Sequence, residues 1–318
     1  MKKLLMQRLL QCLPALLGVS ALVFFLLRIA PGDGAYLRLQ DLGLDPSPEA
    51  IAAIREQLGL NLPLPVQYLT WLRGLLRLDL GKSLASGEPV ITELALHFRW
   101  TLALALPVLL AIPALSFPLG LLSALSHRQL GDGVVRWLVI LIMSVPSFCL
   151  GLLFILLFGV HLKWLPTFGA GTGAHLILPA LTLALGSSAS YARFIRAVFL
   201  EEFSKEYIRA ARARGVGRAG LVRSALKNAL LPVITSLGMS AAMLLSGQAV
   251  VEKVFSWPGV GKYFIDAVLR RDYEVVQGCV LLFALLFISI NLIADVICLI
   301  LDPLSRRSGA RARLSGGD

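Results

Sequence analysis

Three glycine-rich stretches have spacings that resemble nucleotide-binding motifs. Residues 215–220 match G-x-G-x-x-G, the fingerprint that brings a dinucleotide pyrophosphate to a helix N-terminus. The fingerprint requires a preceding β-strand, whereas this copy follows a helical pattern. Gly81-Lys82-Ser83 lacks the first glycine of a phosphate-binding loop, and Gly259-Val260-Gly261-Lys262 lacks the following Ser or Thr. We therefore expect no nucleotide site on this chain.

Side chains that could bind a metal or act as nucleophiles are scattered. The four cysteines are far apart and form no C-x-x-C pair, which excludes a disulfide framework or a zinc knuckle. An intramembrane enzyme would need a Ser/Lys, Ser/His or paired-Asp arrangement, and the sequence shows none. A channel is the other alternative from a different class. His161 and His175 flank one short loop and are weak metal candidates, because an imidazole at a membrane interface is the simpler interpretation.

The composition indicates a membrane protein. Hydrophobic residues make up 57% and charged residues 15%, and mean hydropathy is +0.78, so a soluble globule would expose too much apolar surface. The net charge is +11, but the basic residues lie between apolar runs and are not gathered on one polar face. This distribution argues against a nucleic-acid-binding groove.

Six apolar stretches are long enough to cross a bilayer as helices. They lie at Leu9–Ile29, Trp100–Leu125, Val134–Val160, Leu176–Phe199, Leu230–Val251 and Gly278–Leu301. The first is too long for a cleavable signal, so we interpret it as a retained anchor. With this arrangement the excess of Lys and Arg falls on the side of both termini, which predicts that both termini are cytoplasmic.

The external segment, residues 30–99, carries two amphipathic patterns. Ser47 is a predicted N-cap before Pro48, and Gly59 is predicted to end that helix. A second stretch, Val66–Leu78, is too short and too charged to span. It lies either at the outer membrane surface or in a small cap packed on the spans.

The most informative segment lies between the fourth and fifth spans. Residues 204–215 predict a short helix with Ser204 as its cap and Gly215 as its terminator. The helical period places Phe203, Tyr207, Ala210 and Ala211 on one face, with most of the arginines opposite. A second helix, about Arg218–Leu230, leads to Pro232. Such a helix suits docking into a groove on another protein; a loop made basic only by the positive-inside rule is the simpler alternative.

Polar residues within the spans do not by themselves identify the translocation pathway. Ser187, Ser188 and Asn291 could make interhelical hydrogen bonds or line a pore, and we favour the hydrogen bonds. Asp295 is a candidate for a role in transport, because an acidic side chain inside the membrane is unfavourable unless it has a function. We favour structural pairing with a nearby arginine slightly over that role.

These motifs together resemble a known family. Residues 207–215, Tyr-Ile-Arg-Ala-Ala-Arg-Ala-Arg-Gly, and 228–232, Asn-Ala-Leu-Leu-Pro, resemble the EAA loop of binding-protein-dependent ABC importer permeases. Arg209 stands where the older consensus has Glu. Several further motifs resemble the dipeptide/oligopeptide/nickel branch: residues 252–261 (Glu-Lys-Val-Phe-Ser-Trp-Pro-Gly-Val-Gly), Arg271-Asp272-Tyr273, Pro31-Gly32-Asp33, Leu58-Gly59-Leu60, Gln67-Tyr68 and Asp302-Pro303.

The resemblance implies an all-α membrane fold of the type I ABC importer permeases. It implies an N-terminal helix and external segment over 1–94, a five-helix permease domain over 95–305 and a basic tail over 306–318. It also implies a bacterial inner-membrane location in the lipid bilayer. The partners it implies are a homologous second permease, two cytoplasmic ATPases that bind ATP and Mg²⁺ in place of this chain, and an extracytoplasmic solute-binding protein.

The same resemblance assigns roles to individual residues. The ATPase-coupling loop would contain Tyr207, Arg209, Ala210, Ala211, Gly215 and Pro232. The extracytoplasmic motif would contain Glu252, Phe255, Pro258, Gly259, Gly261 and Asp272. For the substrate, Tyr36-Leu37-Arg38-Leu39, Leu78-Asp79-Leu80-Gly81 and the compact loop from His161 to His175 resemble the nickel members, so we expect nickel, free or chelated, with short peptides as the alternative.

Overall fold

The computed structural model describes residues 2–29, 36, 39, 45, 47–57, 59, 61–127 and 129–301. The regular elements among these residues are all helices, and no strand is present, which confirms the expected all-α class. The predicted motifs at 31–33, 58, 60 and 302–303, most of 36–39, and the tail at 306–318 lie outside the described residues. The helices are α1 (Lys2–Ile29), α2 (Pro48–Gln57), α3 (Leu64–Leu76), α4 (Val90–Leu125), α5 (Leu130–Ser144), α6 (Ser147–Phe154, continued by a π-helix at Ile155–His161), α7 (Gly173–Ser204), α8 (Glu206–Ala213), α9 (Arg218–Gly247), α10 (Ala249–Val254), α11 (Val260–Arg270) and α12 (Tyr273–Leu301).

Four of the described helices contain a stretch long and apolar enough to cross a membrane: Cys12–Ile29, Val90–Leu125, Gly173–Ser204 and Tyr273–Ala294. A fifth span is present if α5 and the helix from Ser147 to His161 count as one, although they meet at a bend of 96°. The prediction of a continuous span over Val134–Val160 is therefore wrong. The break falls at Val145-Pro146, where proline lacks a backbone N–H and disfavours helical geometry in the residue before it.

The predicted separation of a short helix, Arg218–Leu230, from a fifth span is also wrong. The structure has one continuous helix, α9, which contains Pro232. Pro232 is exposed, and the Thr235 hydroxyl donates to the Leu231 carbonyl at 2.9 Å. The helix ends before Gln248, so the predicted fifth span is interrupted near its end.

The chain divides into two compact units, one made of residues 1–103 and 245–288 and the other of residues 104–244 and 289–318. In the first unit α3 packs on α1 through aromatic contacts of Phe24 with Tyr68 and Trp71. The Ser20 and Tyr68 hydroxyls lie 2.9 Å apart, and Arg28 Nε donates to Gln67 at 3.0 Å. These contacts favour the cap packed on a span over a helix lying free on the membrane surface.

Helix α2 begins as the sequence predicts. The Ser47 hydroxyl accepts from the Ala50 N–H at 3.2 Å, and Gly59, at φ +65°, follows the end of the helix. Because glycine adopts this left-handed conformation without penalty, it ends the helix at this point.

The second unit has a core of alanine and branched aliphatic side chains, together with Phe199, from α4, α7, α8 and α9. A Cβ at Gly120 of α4 would lie 2.7 Å from the Ala192 carbonyl oxygen of α7. Only glycine allows these two helices to approach so closely. The close packing holds α7 in place, and α7 carries the chain into α8.

Candidate functional site

The short helix α8 ends as predicted but starts differently. Gly215 has φ +80°, its N–H donates to the Arg212 carbonyl at 3.0 Å, and the Val216 N–H donates to the Ala211 carbonyl at 3.1 Å. These paired bonds form a Schellman motif, which requires a left-handed residue at this position. The predicted Ser204 cap is wrong: Ser204 is the last residue of α7, its hydroxyl donates to the Glu201 carbonyl, and Lys205 separates the two helices.

The inward face of α8 differs from the predicted one. Ile208 and Ala211 are buried in the core of the second unit together with Phe199 of α7 and Ala225 of α9. Tyr207, Arg209 and Ala210 are exposed. The predicted face of Phe203, Tyr207, Ala210 and Ala211 is therefore divided, because Ala211 packs against its own chain. The exposed surface of α8 includes Tyr207, Arg209, Ala210 and Arg212.

A buried carboxylate, that of Glu202, links α7, α8 and α9. Glu202, near the end of α7, is 6% exposed and accepts from the Tyr207 hydroxyl at 2.6 Å. It also accepts from the Lys205 ammonium and bonds to the Asn228 side chain of α9. The hydrogen bond to Glu202 raises the pKa of Lys205. Glu202 is not among the residues predicted from the sequence. The available signal was a carboxylate five residues before a tyrosine in a basic segment, which could have indicated this hydrogen bond.

Arg209 supports the junction between α7 and α8. Its guanidinium Nε and one terminal nitrogen donate to the Ser204 carbonyl at 3.2 and 3.0 Å. This carbonyl is among the last of α7, which have no partner within the helix. A glutamate at residue 209 could not donate these bonds, so the departure from the older consensus has a structural role in this chain.

The second predicted motif forms a helical hairpin in the first unit. Glu252 of α10 is fully buried and accepts from the Thr101 hydroxyl at 2.9 Å and from the Lys262 N–H at 3.0 Å. Its carboxylate thereby caps the N-terminus of α11, where a negative charge is favourable. Burial nevertheless raises the pKa of Glu252, against the hydrogen bonds that favour its charged form.

Two glycines make this hairpin possible. A Cβ at Gly259 would lie 2.2 Å from Glu252 Oε1, and a Cβ at Gly261 would lie 2.4 Å from the Ala249 Cα. Both positions therefore require glycine for close approach.

The remaining motif residues hold the hairpin against α4 and the loop that contains Ser83 and Ala85. Phe255 is buried, and the Pro258 carbonyl lies 2.7 Å from His97 Nδ1. Asp272 is buried and accepts from the Ser83 hydroxyl at 2.7 Å and from the Ala85 N–H at 3.2 Å. The structure thus brings this predicted set together as a rigid scaffold.

The other candidates are dispersed. Ser188 donates to the Ile112 carbonyl at 3.5 Å, an interhelical contact between α7 and α4, and Ser187 is half-buried on the same helix. Asn291 has a partner. The side chain of Asp295 lies outside the described residues.

The two histidines of the short loop bond locally. His161 contacts the Leu156 carbonyl at 3.1 Å, and His175 contacts the Thr172 hydroxyl at 2.8 Å. In the part of the chain that the structure describes, no three or more His, Cys, Asp or Glu residues are grouped so as to hold a metal ion.

Comparison with known proteins identifies the family. Residues 116–307 match the family described as binding-protein-dependent transport system inner membrane component, and residues 1–105 match the N-terminal family of the same membrane components. Similar proteins are named glutathione transport system permease protein GsiC. The one from Pectobacterium atrosepticum is 41% identical over 94% of this chain and 97% of its own length, and the one from Salmonella choleraesuis is 40% identical over 95% and 98%.

Solved structures agree on the fold. The MetNI methionine ABC transporter in inward-facing conformations aligns with a TM-score of 0.53 at 19% identity, over 66% of this chain and 96% of that one. An amino acid ABC transporter with histidines aligns with a TM-score of 0.51 at 19% identity, over 68% and 94%. The chain therefore belongs to the binding-protein-dependent transport system inner membrane component family and is an ABC importer permease of the dipeptide/oligopeptide type, a non-catalytic, multi-pass subunit of the bacterial inner membrane.

Proposed function

We propose that this permease subunit forms half of a translocation pathway for a short peptide, with glutathione as the first candidate. The observation that carries the proposal is the identity of about 40% along nearly the whole chain to permeases named for glutathione transport. The details that favoured nickel, at residues 36–39 and 78–81, are short and local by comparison. Peptide transport, our alternative from the sequence, is therefore the better-supported substrate class.

The proposed topology has six spans with both termini in the cytoplasm. Five of them are α1, α4, the bent pair α5–α6, α7 and α12, and α9 supplies the remaining one. The distribution of Lys and Arg supports this orientation, which places α8 on the cytoplasmic side and the hairpin α10–α11 on the outer side.

The proposed partners are a homologous second permease, two cytoplasmic ATPases and an external binding protein. ATP and Mg²⁺ bind the ATPases, and this chain carries no cofactor of its own. The exposed face of α8, with Tyr207, Arg209, Ala210 and Arg212, docks in a groove of one ATPase. Because Glu202 bonds to α8 and to α9, closure of the ATPases moves these helices with α7 as a body, in a rigid switch between inward-open and outward-open states.

Uptake in a strain that lacks this permease tests the substrate. Labelled glutathione, a labelled dipeptide and labelled Ni²⁺ are supplied separately, and the deletion is complemented with the wild-type chain. We expect restored uptake of glutathione or the dipeptide only. Restored nickel uptake without peptide uptake would contradict the proposal.

Purification of the complex tests the partners, since absence of a second permease or of ATPases would refute the proposed assembly.

A further inference from the structure

A cavity in the second unit is lined by both basic and apolar side chains. Its volume is about 400 Å³, and it lies between α5 and α7 beside the end of α4. The basic side chains are Arg136 of α5 and Arg193 and Arg196 of α7, and the apolar ones include Val139, Ile140 and Ala192. The two helices pack through Val139 and Ala192.

The charges of this cavity are only partly neutralised. Arg196 donates to both oxygens of Asp132, at 2.8 and 2.7 Å, and Asp132 is also bound by the Ser123 hydroxyl at 2.5 Å. This buried pair holds Arg196 in the wall of the cavity. Among the described residues, no carboxylate pairs with Arg136 or Arg193, and both are exposed. Three guanidinium groups beside one carboxylate therefore leave a net positive site that suits an anion.

The surroundings of the cavity are those of a membrane interface. Trp137, the neighbour of Arg136, is 75% exposed, and Leu138 and Leu141 on the same helix are 52% and 65% exposed. Tryptophan is enriched at the level of lipid headgroups, and exposed leucines on a membrane helix face acyl chains. An anion bound at Arg136 and Arg193 would thus continue into an apolar surface on α5.

We propose that this cavity binds the phosphate headgroup of an anionic phospholipid of the inner leaflet, the class to which phosphatidylglycerol belongs. The guanidinium groups of Arg136 and Arg193 contact the phosphate, the glycerol lies against Ile140, and the acyl chains lie along the exposed leucines of α5. Basic pockets between membrane helices on the cytoplasmic side commonly hold anionic headgroups. The inner-leaflet assignment rests on the orientation given under Proposed function.

The bound lipid would act on the coupling region through α7. Arg196 lies two turns before Glu202 on the same helix, and Glu202 bonds to α8. A lipid that holds the arginines of α5 and α7 together would stabilise the packing of these helices. Its binding is therefore expected to affect the stability of the helices that carry α8.

Lipid retention by the assembled importer tests the proposal. The complex is purified from bacterial membranes, exchanged into detergent with phosphatidylcholine and titrated with phosphatidylglycerol, and bound lipid is counted by native mass spectrometry. The double variant Arg136→Gln/Arg193→Gln removes two charges and should weaken phosphatidylglycerol binding about 30-fold. This follows because each basic residue near the membrane surface contributes about one kcal/mol to the binding of anionic lipid. The matched control Arg223→Gln/Lys227→Gln removes two charges outside the cavity and should leave binding within about twofold.

Two further arms separate the possible outcomes. Ile140→Trp narrows the apolar part and should weaken binding of the lipid, whereas inorganic phosphate alone should not displace it. The proposal is overturned if the wild-type complex retains no phosphatidylglycerol, as it would if the second permease covers this face. Equal loss in the control variant, or displacement by inorganic phosphate, would overturn it as well.

Orientation is measured separately from lipid binding. A cysteine placed by Arg136→Cys in a chain without its native cysteines should react with a membrane-impermeant maleimide only after the membrane is opened. Reaction from the outside would refute the proposed topology and the inner-leaflet assignment. Unchanged lipid retention in Arg136→Gln/Arg193→Gln with inside labelling would refute the lipid site alone.

Discussion

Replacing Gly215 with valine should uncouple the permease from its ATPases. Gly215 has φ +80° and ends α8 in a Schellman motif. No atom lies within 4 Å of a Cβ added there, so the penalty comes from the backbone conformation and not from a clash. A non-glycine residue in this conformation costs about 1–2 kcal/mol, and a β-branched residue is among the least tolerant of it. The equilibrium between the formed and the frayed end of α8 should therefore shift by about 5- to 30-fold.

The matched control is Gly215→Asn, because asparagine tolerates the left-handed conformation better than other residues. Uptake of labelled peptide and ATP hydrolysis are measured together in membranes with equal amounts of each variant. We expect several-fold lower uptake for each ATP hydrolysed with valine and a much smaller loss with asparagine. Equal, full uptake in both variants would refute the role of the helix end. Equal losses in both would show that side-chain size at residue 215, and not backbone conformation, is what matters.

Three further predictions concern the two buried carboxylates. Tyr207→Phe removes the 2.6 Å hydrogen bond to buried Glu202 and should lower stability by about 1.5–3 kcal/mol, measured as the denaturant midpoint of the purified complex; an unchanged midpoint would contradict this. Gly259→Ala places a Cβ 2.2 Å from Glu252 Oε1 and should cost about 1–3 kcal/mol in thermal unfolding, whereas Gly217→Ala, in open space, should cost little. Burial raises the pKa of the Glu252 carboxyl above its ordinary value of 4.5, so the folded state favours the protonated form. The free energy of unfolding should therefore fall as pH rises from 4.5 through the raised pKa, and Glu252→Gln should flatten that dependence.

Local sequence signals predicted the ends of several helices correctly. Ser47 caps α2 and Gly215 ends α8, because each acts on backbone groups within four residues of itself. The Ser204 cap was predicted wrongly because contacts far along the chain override the local signal. The long helix α7 extends through Ser204, and the apolar face that stabilises it, including Phe199, is built by distant helices.

Burial and long-range pairing were harder to predict. The helical period grouped Tyr207 with Ala211, but a period fixes which residues share a face and not which face points inward. That choice depends on Phe199 and Ala225, which come from two other helices. The role of Gly259 could not be deduced from its spacing, because it depends on the carboxylate of Glu252 in three-dimensional contact.

In the coupling that we propose, Glu202 would let a helix of only eight residues transmit force. An isolated helix of this length is unstable in water, because nucleation is unfavourable and few hydrogen bonds follow it. In this chain, Ile208 and Ala211 anchor α8 in the core, and Glu202 bonds to Lys205, Tyr207 and Asn228. Those contacts connect the end of α7, α8 and α9 through one buried group. A push on the exposed face of α8 must therefore move both long helices or break a buried, charged hydrogen-bond network, and the second outcome is the less favourable one.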